Sequence, residues 1–207
     1  MDANQALVIA RQTLAQETEM LQALSSALDE SFWIAARQIA ACPGIVWVTG
    51  VGTSAAVGMR LAHVLTDCGV RSVFLATDLG LHGHSGAMAS GEVLVAISRG
   101  GESSEVNQMV EIANGLGVTT LALVGSSTSS LARLARCRLH VPTPDEYELG
   151  GYAATTSSLA TSAVCDALAA VALQITGYSL DRFRRTHPGG AVGRARFQGH
   201  DRQGENR

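Results

Sequence analysis

Residues 45–54 read Ile-Val-Trp-Val-Thr-Gly-Val-Gly-Thr-Ser, and this stretch decides the fold. A short apolar run rich in β-branched residues stops at Gly50 and gives way to a helical pattern from Ala55 to Cys68, which predicts a strand, a tight turn and a helix. The same grammar returns at Glu92–Ser98, an apolar run that ends at Arg99-Gly100-Gly101 and opens a helix from about Glu102 to Leu116. Val70–Leu75, Thr119–Val124 and Arg138–Val141 read as further strands, and Ser129–Ala135 as a short helix. Five apolar strands alternating with helices predict an α/β protein, a three-layer αβα sandwich around a central parallel five-stranded sheet.

Bulk properties agree with one such domain. A chain of 207 residues buries an ordinary core without disulfide or metal support, and 46% hydrophobic against 16% charged residues exclude disorder through its middle. Fifteen basic and 18 acidic side chains are scattered without blocks, and only 4% of residues are aromatic, so no nucleic-acid partner is expected. Cys42, Cys68, Cys137 and Cys165 lie far apart with no Cys-x-x-Cys pair, which reads as buried free thiols. The first 17 residues lack the basic start and apolar centre of a leader, and no apolar stretch is read as long enough to span a membrane. The expectation is a cytoplasmic protein with no membrane partner. Residues 1–40, with Leu7, Leu14, Leu21, Leu24, Leu28 and Trp33 at mostly helical spacing, read as helices packing on the core or on a partner subunit. Residues 41–194 form the domain and 195–207 a flexible polar tail.

In an open parallel sheet, ligands collect beyond the carboxyl ends of the strands, where helix N-termini present backbone amides and a positive dipole end to an anion. Both glycine-rich turns fall at such ends. Gly50 to Ala55 fits a dinucleotide fingerprint formally, but Asp78 lies beyond the end of the next strand, so no nicotinamide cofactor is expected. In the second turn, the Ser98 and Ser103 hydroxyls, the amides around Gly100-Gly101 and the Arg99 guanidinium match the acceptor oxygens of a phosphate. Helix capping explains the same serines, with Glu102 and Glu105 favoured by the dipole of the first turn. Residues 142–152 form an acidic loop longer than a simple connection. Thr155-Thr156-Ser157-Ser158 then opens a long apolar helix to Thr176 as a capping cluster.

Gly50-Val-Gly-Thr-Ser54, Ala96-Ile-Ser-Arg-Gly-Gly-Glu-Ser-Ser-Glu105, Ala153–Asp166 and His187-Pro-Gly-Gly-Ala-Val-Gly-Arg194 together resemble the sugar isomerase (SIS) domain, a flavodoxin/Rossmann-like fold. Within it the segments are most similar to the arabinose-5-phosphate isomerases, over about residues 20–194. That resemblance implies an aldose–ketose phosphosugar isomerase without cofactor or metal, acting on D-arabinose 5-phosphate and D-ribulose 5-phosphate through a cis-enediol. It puts Glu105, His82, His187 and Glu146 on or near catalytic acid–base positions. Gly52, Thr53, Ser54, Ser98, Arg99, Gly101 and Ser103 fall in the phosphate-binding turns, with Thr155 and Ser157 near the sugar hydroxyls. It further implies a homodimer or homotetramer with shared active sites, and commonly a following pair of CBS domains where this chain stops.

The chain departs from the family pattern at two points. Thr53 stands where those isomerases carry a functional lysine, and Arg99-Gly100 replaces the usual Asn-Ser, losing a hydroxyl and adding a guanidinium. Two alternatives therefore stay open: a sugar-phosphate-binding sensor without catalysis, and an isomerase for a hexose or heptose phosphate. His82-Gly-His84 has the look of a metal pair but no matched third ligand, and no metal is expected.

Overall fold

The computed structural model describes residues 1–189, so the end of the His187–Arg194 segment and the expected tail lie outside the described residues. In chain order the elements are α1 (Ala3–Ala27), α2 (Glu30–Ala40), β1 (Val46–Gly50), α3 (Thr53–Asp67), β2 (Ser72–Phe74), α4 (Thr77–Leu81) and β3 (Val93–Ser98). They continue with α5 (Ser104–Gly115), β4 (Thr119–Val124), α6 (Ser130–Leu134), β5 (Cys137–His140), α7 (Thr156–Thr176) and α8 (Leu180–Thr186). The five strands are parallel in the order β2-β1-β3-β4-β5. The predicted three-layer α/β architecture is the one observed.

The alternating residues of each strand feed two cores. Val46, Val48, Val95, Ile97, Leu121 and Leu123 face a layer made by α1, α2, α3 and α7. Trp47, Leu94, Ala96, Ala122 and Val124 face the layer of α5 and α6. Because β3 is buried along its whole length, every one of its residues is apolar except Ser98 at the open end. Strand β2 is shorter than the predicted run: as an edge it pairs with β1 over Ser72, Val73 and Phe74 alone.

Helix α7, with 21 residues and a mean hydropathy of 1.6 over its most apolar window, is long and apolar enough to cross a membrane. This corrects the expectation that no stretch reaches that length. Its Ala160, Val164, Leu168, Ala169 and Ala172 are buried where it packs against α2 and α3, and Asp166 takes a two-pronged ion pair from Arg60 of α3 at 2.6 and 2.9 Å. Of the four free cysteines, Cys68 and Cys165 are buried and Cys42 and Cys137 half-buried; burial pushes the Cys165 thiol up to about 12.

At the amino ends of β1 and β3, Glu92 is buried and collects three donors: the amides of Ile45 (2.8 Å) and Ala89 (3.0 Å) and the Trp47 indole (2.7 Å). Burial pushes its carboxyl upward, but the bonds from Trp47, Ala89 and Ile45 favour the charged form more and hold it below the usual range. Glu92→Gln, which turns an amide nitrogen toward a donor, is expected to cost about 2–3 kcal/mol at neutral pH. Because the folded carboxyl titrates below the unfolded value of about 4.3, that contribution is complete above pH ~5 and disappears as pH falls through the folded value. Urea unfolding of both proteins at pH 7 and near pH 3 checks the narrowing gap.

Candidate functional site

The strand order makes β1 and β3 the point where the chain turns in opposite directions, α3 leaving β1 toward β2 and α5 leaving β3 toward β4. Their carboxyl ends are level, with Gly50 paired to Ile97. A Cβ on Gly50 would stand 3.0 Å from the Ser54 backbone and 3.1 Å from the Ile97 carbonyl oxygen, so any side chain there would press the first turn of α3 away from β3. The two glycine-rich turns predicted from sequence are thereby brought side by side.

The helix N-termini at this crevice are open. The N-cap of α3 is Gly52, which has no side chain to offer, and Ser103 at the N-cap of α5 makes no capping bond. Elsewhere Asp2 caps α1, Asp29 caps α2, and Glu148 accepts the Thr155 and Ser157 amides at the start of α7. Among the described helices of eight residues or more, only α3 and α5 leave their first-turn amides without a side-chain acceptor. Two adjacent unsatisfied helix starts form an anion-binding surface.

The β3–α5 turn is shaped by its own bonds. Ser98, buried at the strand end, accepts the Gly101 amide on its hydroxyl at 3.1 Å, and that oxygen lies 3.4 Å from the Ser103 hydroxyl. Gly101 has φ +68 and a Cβ there would lie 2.2 Å from the Ser129 hydroxyl oxygen, so both backbone sign and space demand glycine. The Gly101 carbonyl in turn accepts the Leu131 amide at 2.9 Å, fastening the turn to α6. Glu102, expected in the first turn of α5, instead reaches across to accept the Ser130 amide at 2.9 Å, and α5 starts at Ser104. Glu105 stands exposed on that first turn, its carboxylate accepting the Ser104 hydroxyl at 3.2 Å.

Arg99 leaves this turn in the other direction. Its carbonyl accepts the Gly125 amide at 2.8 Å, and Gly125 lies beneath its Cγ, so the side chain passes over the end of β4. Its guanidinium Nη2 reaches Asp145 at 2.5 Å and Glu148 at 3.3 Å in the acidic loop. There Asp145–Tyr147 form a single 3₁₀ turn carrying the exposed Glu146, and the chain reverses to an isolated bridge between Leu149 and Ala153. Glu148 has a fully buried side chain; burial pushes its carboxyl up, but the Ser157 hydroxyl, the Thr155 amide and Arg99 hold it lower than usual.

This corrects the expected capping of α7. The Thr155 hydroxyl does not cap the helix but donates to the Ala153 carbonyl at 3.2 Å, while Glu148, eight residues before Thr156, does the capping. Ser157 is 4% exposed, with its amide on Glu148, and Thr155 is half-buried beside it. Local capping rules search within three residues of a helix start, so they miss a carboxylate returned by a loop. The one sequence signal was its place in an over-long acidic segment.

The candidate histidines lie on different elements. His82 terminates α4 and His84 opens the 3₁₀ turn His84–Ala87; both are exposed, on the α5 side of the sheet. His187 follows α8 and stacks on Phe183 with ring centroids 3.8 Å apart, one ring nitrogen 2.9 Å from the Phe183 carbonyl and the other 3.0 Å from Asp67. Asp67 ends the 15-residue α3, so about 21 Å of helix separate it from Thr53. Within one chain, Glu105, Ser98, Gly101 and Ser103 gather with the first turn, and His187 does not join them.

A model of the family described as SIS domain matches residues 41–171. Arabinose 5-phosphate isomerase KdsD of Escherichia coli (strain K12) is 34% identical over 184 residues, 89% of this chain and 56% of that protein. The chain therefore spans little more than half the length of the curated relatives it matches. Among solved structures, an Escherichia coli CFT073 protein in complex with arabinose 5-phosphate has a TM-score of 0.86 at 23% identity, over 91% of this chain and all of that one. The Vibrio vulnificus NanR protein complexed with ManNAc-6P has a TM-score of 0.76 at 22% identity, covering 86% of this chain and 67% of that one. At those identities the two structures establish the fold.

Ser103 and Ser129 both stand at helix starts, yet only Ser129 caps, taking the Ala132 amide at 3.3 Å while donating to the Ser126 carbonyl at 2.8 Å. Ser129→Ala is expected to cost about 1–2 kcal/mol in urea unfolding without ligand. Ser103→Ala, which gives up no cap, is expected to stay within about 0.5 kcal/mol of the parent.

Proposed function

The chain belongs to the SIS domain family, and from that premise we propose that it interconverts the aldose and ketose forms of a sugar phosphate, D-arabinose 5-phosphate and D-ribulose 5-phosphate first. The observation that carries this reading is the pair of uncapped helix starts at one crevice, with an exposed carboxylate, Glu105, on the first turn of α5. The phosphate sits on the Ser98, Gly101 and Ser103 turn, facing Gly52, Thr53 and Ser54. Thr155 and Ser157 lie toward the sugar hydroxyls.

Isomerisation then needs a base used twice. Glu105 removes the C2 proton of the open-chain aldose; the electron pair forms the cis-enediol, and Glu105 returns the proton to C1. Meanwhile one proton leaves the C2 hydroxyl, which becomes the ketone, and one arrives on the former aldehyde oxygen. Glu146, His82 and His187 are the groups for that oxygen shuttle and for ring opening. Amide donors at the two helix starts offset negative charge on the enediolate. No redox cofactor is required by these steps.

The test is incubation of the purified protein with D-ribulose 5-phosphate while aldose formation is followed, beside a panel of pentose, hexose and heptose phosphates. Turnover with the pentose pair is expected; a folded protein inert on the whole panel sinks the proposal. Thr53 favours one second reading, a sugar-phosphate sensor, for which the ManNAc-6P complex of NanR is a structural parallel. Thermal stabilisation by a sugar phosphate without turnover, together with activity appearing in Thr53→Lys, would establish that reading instead.

A homo-oligomer completes the site in this proposal. Leu7 and Leu14, two turns apart on one side of α1, are exposed, as are Val8 and Ile9 around the same helix, apolar surface for a second copy, and His187 serves the site of a neighbour, not its own. Two inactive variants, Glu105→Gln and His187→Ala, are expected to regain part of the activity when co-expressed, because some mixed sites hold both native residues. Failure to regain it, or a monomer in sedimentation at micromolar concentration, removes the shared site.

A further inference from the structure

Arg99 was expected among the phosphate ligands, yet its side chain runs over Gly125 to the acidic loop, on the opposite side of β3 from Gly52–Ser54. One guanidinium nitrogen grips two carboxylates, Asp145 at 2.5 Å and Glu148 at 3.3 Å, and these flank Glu146. Asp145 is 87% exposed, so its pair is screened and weak taken alone. Glu148 is wholly buried and already fixed to the start of α7 by the Thr155 and Ser157 amides. Its ion pair with Arg99 therefore joins two anchored segments: the β3–α5 turn, held by Ser98 and by Gly125, and the amino end of α7.

We propose that Arg99 is a positioning residue that fastens the loop bearing Glu146 to the phosphate turn, and does not itself bind phosphate. This rests on the isomerase reading only in giving Glu146 a proton-transfer role; the tether itself does not depend on it. A phosphate settling on the Ser98–Ser103 turn orders the backbone of Arg99, and the guanidinium passes that order to Asp145, Glu148 and the 3₁₀ turn between them. The guanidinium also cannot stand in for the missing lysine at Thr53, because it is committed on the far side of β3.

The experiment has two arms on the full chain. In hydrogen–deuterium exchange without ligand, Arg99→Ala is expected to speed exchange of residues 145–153 at least tenfold while α3 and α5 keep the parent rates. Arg99→Lys, which keeps a cation within reach of one carboxylate, is expected to recover part of that protection. In turnover, Arg99→Ala is expected to lower kcat tenfold or more with KM within about threefold, and Arg99→Lys to restore part of kcat. A KM raised tenfold or more with kcat retained would make Arg99 a phosphate ligand and overturn the proposal, as would unchanged exchange in the loop. If the parent protein turns nothing over, the isomerase reading falls while the exchange arm still decides the tether.

Discussion

The constraint on which the rest depends is that β1 and β3 end level and send their helices to opposite faces of the sheet. Neither helix covers the other's start, and neither receives a side-chain cap, although the other long helices among the described residues are capped by Asp2, Asp29 and Glu148. A missing cap costs about 1 kcal/mol in the empty protein, and an anion that bridges both starts recovers that cost twice. A readiness to receive an anion is therefore built in as an incompleteness of two helices, with glycine at 50 and 101 where a side chain would crowd the Ser54 backbone, the Ile97 carbonyl and Ser129.

Two buried carboxylates frame that open edge and work in the same way at opposite ends of the sheet. Glu92 gathers Ile45, Trp47 and Ala89 where the strands begin, and Glu148 gathers Thr155, Ser157 and Arg99 where they finish. In each case several donors offset the cost of taking a charge out of water. Neither is a surface ion pair added to a finished fold. Each also reaches a segment distant in sequence, Glu92 the start of β1 and Glu148 the Arg99 side chain.

The parts of the molecule governed by short-range pattern were legible in the sequence. The run from Ile45 to Gly50 and that from Val93 to Ser98 announce buried parallel strands, and the glycines after each announce turns, because periodicity and turn chemistry act within a few residues. What escaped depends on loops coming back. Glu148 caps a helix from eight residues away, Glu102 serves α6 and not the helix it precedes, and Arg99 points along the sheet edge toward the loop after β5. Residue type and spacing carry no information about those directions. Helix α7 escaped in another way: its length and apolarity match a membrane span, while it packs against α1, α2 and α3.

The close approach of Gly101 to Ser129 has a consequence for how such a chain can change over generations. With no room for a methyl group between them, the volume available at one position is set by the other, although 28 residues separate Gly101 from Ser129, which belongs to a helix that carries none of the candidate site residues. A side chain larger than serine at 129 would press on the β3–α5 turn from behind and alter its curvature without entering the crevice. Drift in the shape of the β3–α5 turn can thus enter through the outer layer of the protein, at a position that an inventory of crevice-facing residues omits.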